Sequence, residues 1–215
     1  MTTAIAALDH LLIGAPTLNV GILWLFGLTG VRAAPGGSHP GLGTWNALAS
    51  LGPRQYIEII APDPGQPDVE TFYLPGLRDW VEPRVATWAA RADGLKARFP
   101  SRTPREFSCD PPGEGSRLRP DGSTLAWTLA FPKHRERGTF DGLVPFFIEW
   151  NAGVTHPGAA TPPGLSLRSL SFRHPDPDAV RRALSVLHLE AQVERAQRPS
   201  IRVSLDTPRG MVTIP

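Results

Sequence analysis

The stretch RQYIEIIAP, residues 54–62, predicts a buried β-strand that carries a single carboxylate, Glu58. Removing an unpaired carboxylate from water costs several kcal/mol even after the surroundings relax. We therefore expect Glu58 to have a compensating partner, which is a cation, a set of hydrogen-bond donors, a metal ion, or water at the wall of a cleft.

The predicted strand has a counterpart later in the chain. FFIEWNAG, residues 146–153, ends a second unit as YIEIIAPD, residues 56–63, ends the first. Each unit begins with a strand, at LDHLLIGAP (8–16) and VATWAAR (85–91), and a third start follows at LRSLSFRHP (167–175). This order of elements predicts an α+β protein with two βαβββ modules and a C-terminal partial module.

The proline- and glycine-rich stretch THPGAATPPG, residues 155–164, predicts a linker. We expect a two-module domain over residues 1–154 and a partial third βαββ module over residues 165–215 packed on it. Capping and turn residues refine the pattern within these units. We expect Thr17 to start a helix that ends near Gly27, Asp93 and either Asp176 or Asp178 to start two further helices, and Asp121-Gly122 to form a hairpin turn.

The composition argues against several classes of protein. With 41% hydrophobic and 20% charged residues, the 215-residue chain has the composition of a globular protein. Its basic residues are scattered at a net charge of +2, which argues against nucleic-acid binding. The apolar run at residues 21–31 is too short and glycine-rich for a membrane span, and no basic residue precedes it as in a signal peptide. The single cysteine, Cys109, has no disulfide partner or CxxC pattern, so we expect a reducing, cytoplasmic setting.

Strand periodicity assigns three polar side chains to defined faces. His10, Glu58 and Glu149 each lie on one face of a predicted strand, and paired modules could bring the three together. Two adjacent carboxylates repel each other and raise each other's pKa, and a divalent cation relieves this repulsion. Imidazole with carboxylates suits Mn, Fe, Zn, Ni or Co better than calcium.

The chain resembles the vicinal oxygen chelate superfamily, and especially its glyoxalase-like branch. The resemblance is carried by LDHLLIGAP (8–16), GGSHPGLGTWNAL (36–48) and YIEIIAPDP (56–64), and it extends over residues 5–153. It implies the fold of glyoxalases, bleomycin-resistance proteins and dihydroxybiphenyl dioxygenases, in which two modules form a U-shaped cleft.

The resemblance also implies a metal site. Its ligands would be His10 and Glu58 from the first module and Glu149 from the second, while Trp88 stands where a second histidine is expected. Indole ligates no metal, so the site would either use three protein ligands with water or substrate oxygens, or have lost its metal. A bound divalent metal would hold two adjacent oxygens of a small substrate, with Glu149 as general base. Isomerase, lyase and dioxygenase chemistry all stay open.

Further residues are expected to contact the substrate in the cleft. They are His39, Trp45, Asn46 and Trp88. Each candidate also has a structural alternative: His10 as a core histidine, Glu58 and Glu149 in ion pairs with arginines, His39 as a loop-fixing residue, and Trp45 as a core residue.

A second hypothesis is a metal-free protein of the same fold that binds a small molecule. Trp45 and Trp88 near the cleft favour it, because tryptophan stacks well on flat ligands. The sequence leaves open the substrate and the oligomeric state, monomer or homodimer.

Overall fold

The structure is a computed structural model, and the residues that it describes are 1–72, 74–99, 109–118, 122–133 and 140–215. Asp121 of the predicted hairpin turn lies outside these ranges. No helix within them is long and apolar enough to cross a membrane.

The first module has the predicted βαβββ order. Two short elements, β1 Thr2–Thr3 and α1 Ala4–Ala7, precede it. Its elements are β2 Leu8–Gly14, α2 Leu18–Thr29, β3 Ala34–His39, β4 Thr44–Gly52 and β5 Gln55–Pro62. The Thr17 hydroxyl accepts a hydrogen bond from the backbone N–H of Val20 and starts α2, as predicted. Gly30 ends this helix in the left-handed conformation, at φ 80°.

The second module repeats the order with a much shorter helix. After a 3₁₀ turn at Leu77–Asp79, its elements are β6 Arg84–Arg91, α3 Leu95–Arg98, β7 Gly113–Leu118, β8 Thr124–Ala130 and β9 Phe146–Trp150. The prediction that Asp93 caps α3 is wrong. Its N-cap is Gly94, and the backbone N–H groups of Gly94 and Leu95 donate to the carboxylate of Glu149 on β9.

The two modules form one eight-stranded sheet in the order β3-β4-β5-β2-β6-β9-β8-β7. Within each module the first and last strands are parallel neighbours, and β2 pairs antiparallel with β6 where the modules join. The sheet curves until its edge strands meet. There the guanidinium of Arg117 on β7 donates from Nη1 to the backbone carbonyl of Gly36 on β3, at 2.9 Å. The curved sheet therefore encloses a space between the modules.

A C-terminal partial module is also present, as predicted. After α4 Pro157–Ala160, its elements are β10 Ser166–His174, α5 Pro177–Val186, β11 Leu189–Glu190, β12 Val193–Arg195, β13 Ser200–Thr207 and β14 Gly210–Ile214. Asp176, rather than Asp178, caps α5 by accepting from the backbone N–H of Ala179. Four of these strands form a second sheet in the order β12-β10-β13-β14, while β11 pairs with β1 at the start of the chain.

The convex face of the large sheet contains the main hydrophobic core. Leu11 on β2 and Ile57 on β5 are almost completely buried there. The partial module covers this face over the second module, where the buried indole of Trp88 stacks on Phe172 with a centroid distance of 5.7 Å. The Nε1–H of Trp88 donates to the backbone carbonyl of Leu143 at 2.9 Å. Trp88 is therefore a core residue, and it does not line the predicted cleft.

Two tryptophan substitutions test this placement. Trp88→Phe leaves the buried carbonyl of Leu143 without its donor, which costs about 1–3 kcal/mol of unfolding free energy. Trp45→Phe is the matched control, because the partly buried Trp45 indole has no hydrogen-bond partner for Nε1 among the described residues. We expect urea unfolding to show a larger loss for Trp88→Phe than for Trp45→Phe, and equal losses would contradict this account.

Candidate functional site

A pocket of about 450 Å³, counted to its open mouth, occupies the concave side of the large sheet. The first module supplies its polar wall, formed by His10, His39, Asn46, Tyr56 and Glu58. The second module supplies an apolar wall, formed by Leu125, Trp127, Leu129, Phe146, Ile148 and Trp150. Arg117 adds the guanidinium that bridges the edge strands. The two ends of a bound molecule would thus meet very different surroundings.

Asn46 on the neighbouring strand is a hydrogen-bond partner of Glu58. The Asn46 amide donates from Nδ2 to Glu58 Oε1 at 2.7 Å and approaches His39 Nε2 at 3.1 Å. Because Nδ2 is a donor, His39 Nε2 is the acceptor, and Nδ1 of the same ring donates to the Thr44 hydroxyl at 2.9 Å. Burial is the main cause that lowers the pKa of His39 below 6.5; Glu58 opposes this shift and Arg117 adds to it.

Gly36 on the edge strand allows Asn46 to take this position. A Cβ atom at residue 36 would lie 2.1 Å from Asn46 Oδ1, far inside van der Waals contact. The same oxygen is buried and has no hydrogen-bond partner among the residues that the structure describes. The amide is therefore held by its two N–H contacts and by close packing against the glycine.

His10 lies opposite the second oxygen of Glu58. Its Nε2 is 3.3 Å from Glu58 Oε2, and its ring stacks on Tyr56 with a centroid distance of 4.6 Å. The edge of the Phe146 ring meets it from the second module at 5.6 Å. Two protonatable groups thus meet at hydrogen-bonding distance on the wall of the pocket.

A β-bulge brings Asp9 to the same side of the sheet as His10. Leu8 pairs with Ala90 and His10 pairs with Ala89, so Asp9 is an additional residue on β2 without a partner on β6. Consecutive strand side chains normally point to opposite faces. Here Asp9 Oδ1 and His10 Nδ1 are 2.8 Å apart, which places the carboxylate directly behind the imidazole.

Two further donors complete what we call the Asp9 cluster: Asp9, His10, Trp150 and His156. Trp150 Nε1 and His156 Nε2 each lie 3.0 Å from Asp9 Oδ2, and Asp9 is completely buried. Burial alone would raise the pKa of Asp9, but the hydrogen bonds from His10 and His156 outweigh it and hold the pKa well below its usual value. The cluster therefore contains a buried, ionised carboxylate with three N–H donors.

The structure does not bring Glu149 to His10 and Glu58. Glu149 Oε1 and Oε2 accept from the backbone N–H groups of Gly94 and Leu95, both at 2.9 Å, on the other side of the sheet. On β9 it is the neighbours of Glu149, Ile148 and Trp150, that face the pocket. The expected convergence of the three side chains is therefore corrected: Glu149 caps a helix.

Trp88 and Trp45 are also placed away from the pocket. His10 pairs across β2 and β6 with Ala89, so the alignment of His10 with Trp88 is shifted by one residue, and a shift of one residue exchanges the faces of a strand. Trp45 packs against the main core, while its neighbour Asn46 lines the pocket. His10, His39, Asn46 and Glu58 are the predicted site residues that the structure brings together.

The donor atoms in the pocket do not fit the metal centre that the resemblance implies. His10 Nδ1 is engaged by Asp9, and both ring nitrogens of His39 have contacts, to Thr44 and Asn46. His10 Nε2 and Glu58 Oε2 are then two ligand atoms, fewer than the three protein ligands usual in catalytic zinc sites. Across the described ranges, no group of three or more His, Cys, Asp or Glu side chains could hold a metal ion.

Sequence reasoning missed several residues of this site. They are Asp9, Tyr56, Arg117, Trp127, Phe146, Trp150 and His156. The only sequence signal for the Asp9 cluster was that Asp9 and His10 are adjacent. In a regular strand adjacent side chains point to opposite faces of the sheet, so this signal did not predict their contact. His156 lies in a stretch whose composition predicts only a linker.

Comparisons with known proteins describe what the chain is similar to. A family model described as "Glyoxalase-like domain" matches residues 8–188. A hypothetical protein from Staphylococcus aureus has a TM-score of 0.63 at 14% identity, over 96% of this chain and 83% of that chain. Methylmalonyl-CoA epimerase from Mycobacterium tuberculosis has a TM-score of 0.44 at 20% identity, over 69% and 91% of the two chains. No curated protein matches. The structure from Staphylococcus aureus bears on the fold alone.

The role of Glu149 as a helix cap leads to a prediction. Glu149→Gln keeps one acceptor oxygen but turns an amide N–H toward a backbone N–H, so we expect unfolding free energy to fall by about 1 kcal/mol. Ligand binding should be unchanged, as measured by quenching of the fluorescence of the pocket tryptophans. If Glu149→Gln keeps the stability of the wild type but no longer binds ligand, Glu149 belongs to the binding site and this account of its role is wrong.

The lowered pKa of His39 predicts a dependence of stability on pH. Below pH 6.5 the unfolded chain takes up a proton on His39 that the folded chain does not, so the folded state loses stability as the pH falls. His39→Gln removes this contribution. The free energy of unfolding in urea should be measured one unit above and one unit below pH 6.5 for both proteins. We expect it to change less between the two pH values in His39→Gln than in the wild type, and an equal change would count against the burial of a neutral His39.

Proposed function

Because the chain belongs to the glyoxalase-like domain family of the vicinal oxygen chelate superfamily, we propose that its pocket binds a small organic molecule and transfers a proton on it with Glu58 and His10. The observation that carries this proposal is the 3.3 Å separation of His10 Nε2 and Glu58 Oε2 on a pocket wall. General acid–base catalysis requires each group to lie within hydrogen-bonding reach of the proton that it moves, and two groups this close can also pass a proton between them.

The surroundings of Glu58 suit the role of a base at carbon. Oε1 is held by Asn46, so Oε2 is the oxygen directed toward His10 and a ligand. Glu58 Oε2 takes a proton from a carbon next to a carbonyl group, and the electron pair of the broken C–H bond moves to the carbonyl oxygen. The guanidinium of Arg117, on the same pocket, supplies positive charge near the enolate. The protonated Glu58 passes this proton to His10 Nε2, 3.3 Å away. Delivery of a proton from His10 to the opposite face of the same carbon gives an epimer, and delivery to a different carbon gives an isomer; the electron pair of the enolate forms the new C–H bond, so no co-reactant is needed.

The apolar wall defines the other end of the ligand. Trp127, Phe146 and Trp150 present aromatic surface across the pocket from Glu58. Flat apolar groups bind well to such surfaces, and a few polar groups then set the orientation of the molecule. We infer a ligand with an oxygen-bearing polar end and a flat or hydrophobic body.

Members of the superfamily usually bind a divalent metal. The resemblance implies Zn, Ni, Mn, Fe or Co held by His10, Glu58 and Glu149, but the donor atoms of the described pocket do not form that set. The proposed proton transfer therefore uses protein side chains alone, and isomerisation is the class of reaction that we assign to it.

A metal-free binding protein is the second candidate. The continuous apolar wall of the second module favours it, because such a wall can retain a flat molecule without any chemistry. Both candidates predict binding of the same ligands, and they differ in whether a C–H bond of the ligand is broken.

Solvent exchange distinguishes the two candidates. We expect the wild-type protein to catalyse exchange of deuterium from D₂O into the carbon next to the carbonyl in a panel of small 2-oxo acids, aryl ketones and thioesters, followed by proton NMR. Glu58→Gln and His10→Asn should slow this exchange by about 10²–10⁴-fold, the usual contribution of general acid–base catalysis.

Glu149→Gln is the matched control and should exchange at the wild-type rate, because its carboxylate lies on the other side of the sheet. Binding without exchange for every ligand would favour the binding protein. Exchange that requires added Mn, Ni or Zn would contradict a transfer by side chains alone.

A further inference from the structure

We infer that Asp9 is a positioning residue: its carboxylate, fixed by Trp150 and His156, keeps a proton on His10 Nδ1 and directs His10 Nε2 to Glu58 and the pocket. This inference rests on the proposed function for its catalytic consequence. Its structural part, the orientation and proton position of one imidazole ring, stands on the contacts of the Asp9 cluster.

The proton position follows from the chemistry of each contact. An ionised carboxylate is only an acceptor, so the nitrogen that faces Asp9 Oδ1 at 2.8 Å must carry a hydrogen. That nitrogen is Nδ1 of His10. Nε2 is then the nitrogen that can exchange a proton with Glu58 or with a ligand.

The same logic sets the tautomer of His156. Its Nδ1 accepts from the backbone N–H of Gly158 at 3.0 Å and therefore carries no hydrogen. Its Nε2 then carries one and donates to Asp9 Oδ2, as the indole of Trp150 also does. Both donors approach Oδ2, which leaves Oδ1 to His10 and gives the carboxylate a single orientation.

Backbone geometry places Asp9 for this role. The bulge at Asp9 turns two consecutive side chains to one side, and the complete burial of the carboxylate keeps it from contact with a ligand. Asp9 thus acts through His10 rather than on a substrate. His156 comes from the segment after the second module, so the site depends on a residue outside both βαβββ units.

Asp9→Asn changes the proton position without removing the side chain. Trp150 and His156 both need an acceptor, so the asparagine turns its oxygen to them and its NH₂ group to His10. The amide then donates to His10 Nδ1, which must lose its hydrogen, and the proton of the neutral ring moves to Nε2. We expect the two ring nitrogens of His10 to exchange roles.

Nitrogen-15 NMR of the histidine side chains measures this directly, because a ring nitrogen that carries hydrogen is distinguished from one that does not. In the wild-type protein we expect hydrogen on His10 Nδ1, and in Asp9→Asn on Nε2 alone. Asp63→Asn is the matched control: Asp63 is also buried and accepts from Ser38 and Gln66, but it does not contact His10. It should leave the His10 signals unchanged.

Two results would overturn the inference: a wild-type His10 Nδ1 without hydrogen, or a folded Asp9→Asn whose His10 signals match the wild type. If Asp9→Asn does not fold, the inference is tested by the nitrogen-15 spectra of the wild-type protein and of His156→Gln. Glutamine at 156 can still donate to Asp9, so Nδ1 of His10 should keep its hydrogen, and its loss would count against the inference.

Turnover supplies the second measurement. Asp9→Asn should lower kcat for deuterium exchange by at least about 10-fold, since Nε2 then carries a hydrogen toward Glu58 and can no longer accept a proton there. KM should change little, because Asp9 is completely buried behind His10. Exchange that depends on Glu58 but is unaffected by Asp9→Asn would overturn the positioning role while the proposed function stands. The expected NMR pattern with no exchange on any ligand would support the ring orientation while the proposed function fails.

Discussion

The buried carboxylate of Asp9 imposes the constraint on which the arrangement of the site depends. A fully desolvated charge is costly unless its oxygens are hydrogen-bonded, so the chain must supply donors from wherever the fold allows. Here they come from His10 on the same strand, Trp150 at the end of the second module, and His156 beyond it. The hydrogen bonds to the two carboxylate oxygens of Asp9 thus connect three parts of the chain, and they orient the imidazole of His10 beside Glu58.

The order of strands and helices could be predicted from the sequence because it depends on local signals. Alternating apolar residues, the Thr17 cap and the repeated ends of the two modules each indicate their own element, and the observed βαβββ units and the partial third module confirm the fold class. The prediction that Asp93 caps α3 was wrong because the backbone N–H groups at the start of α3 donate to Glu149, which lies on a strand distant in sequence.

Site prediction needed the register between strands, which the sequence does not encode locally. The sequence suggested His10 and Trp88 as equivalent positions, but the bulge at Asp9 pairs His10 with Ala89. This difference of one residue accounts for Trp88 lying in the core. On β9, Glu149 lies on the other side of the sheet, so its neighbour Ile148 faces the pocket. Glu58 and Asn46 lie on the pocket because β4 and β5 pair without a shift from Thr44 to Ser50, so period-two alternation places them on the correct face.

The bridge between Arg117 and the carbonyl of Gly36 has a consequence for how this protein can diversify. It joins the edge strands of two modules with the same order of elements, of which the first supplies the histidines and Glu58 of the pocket and the second most of its aromatic surface. Substitutions at Trp127 or Leu125 can therefore alter the shape of one wall while His10, Glu58 and their partners keep their contacts. The two walls of the pocket can thus change independently of each other within a single chain.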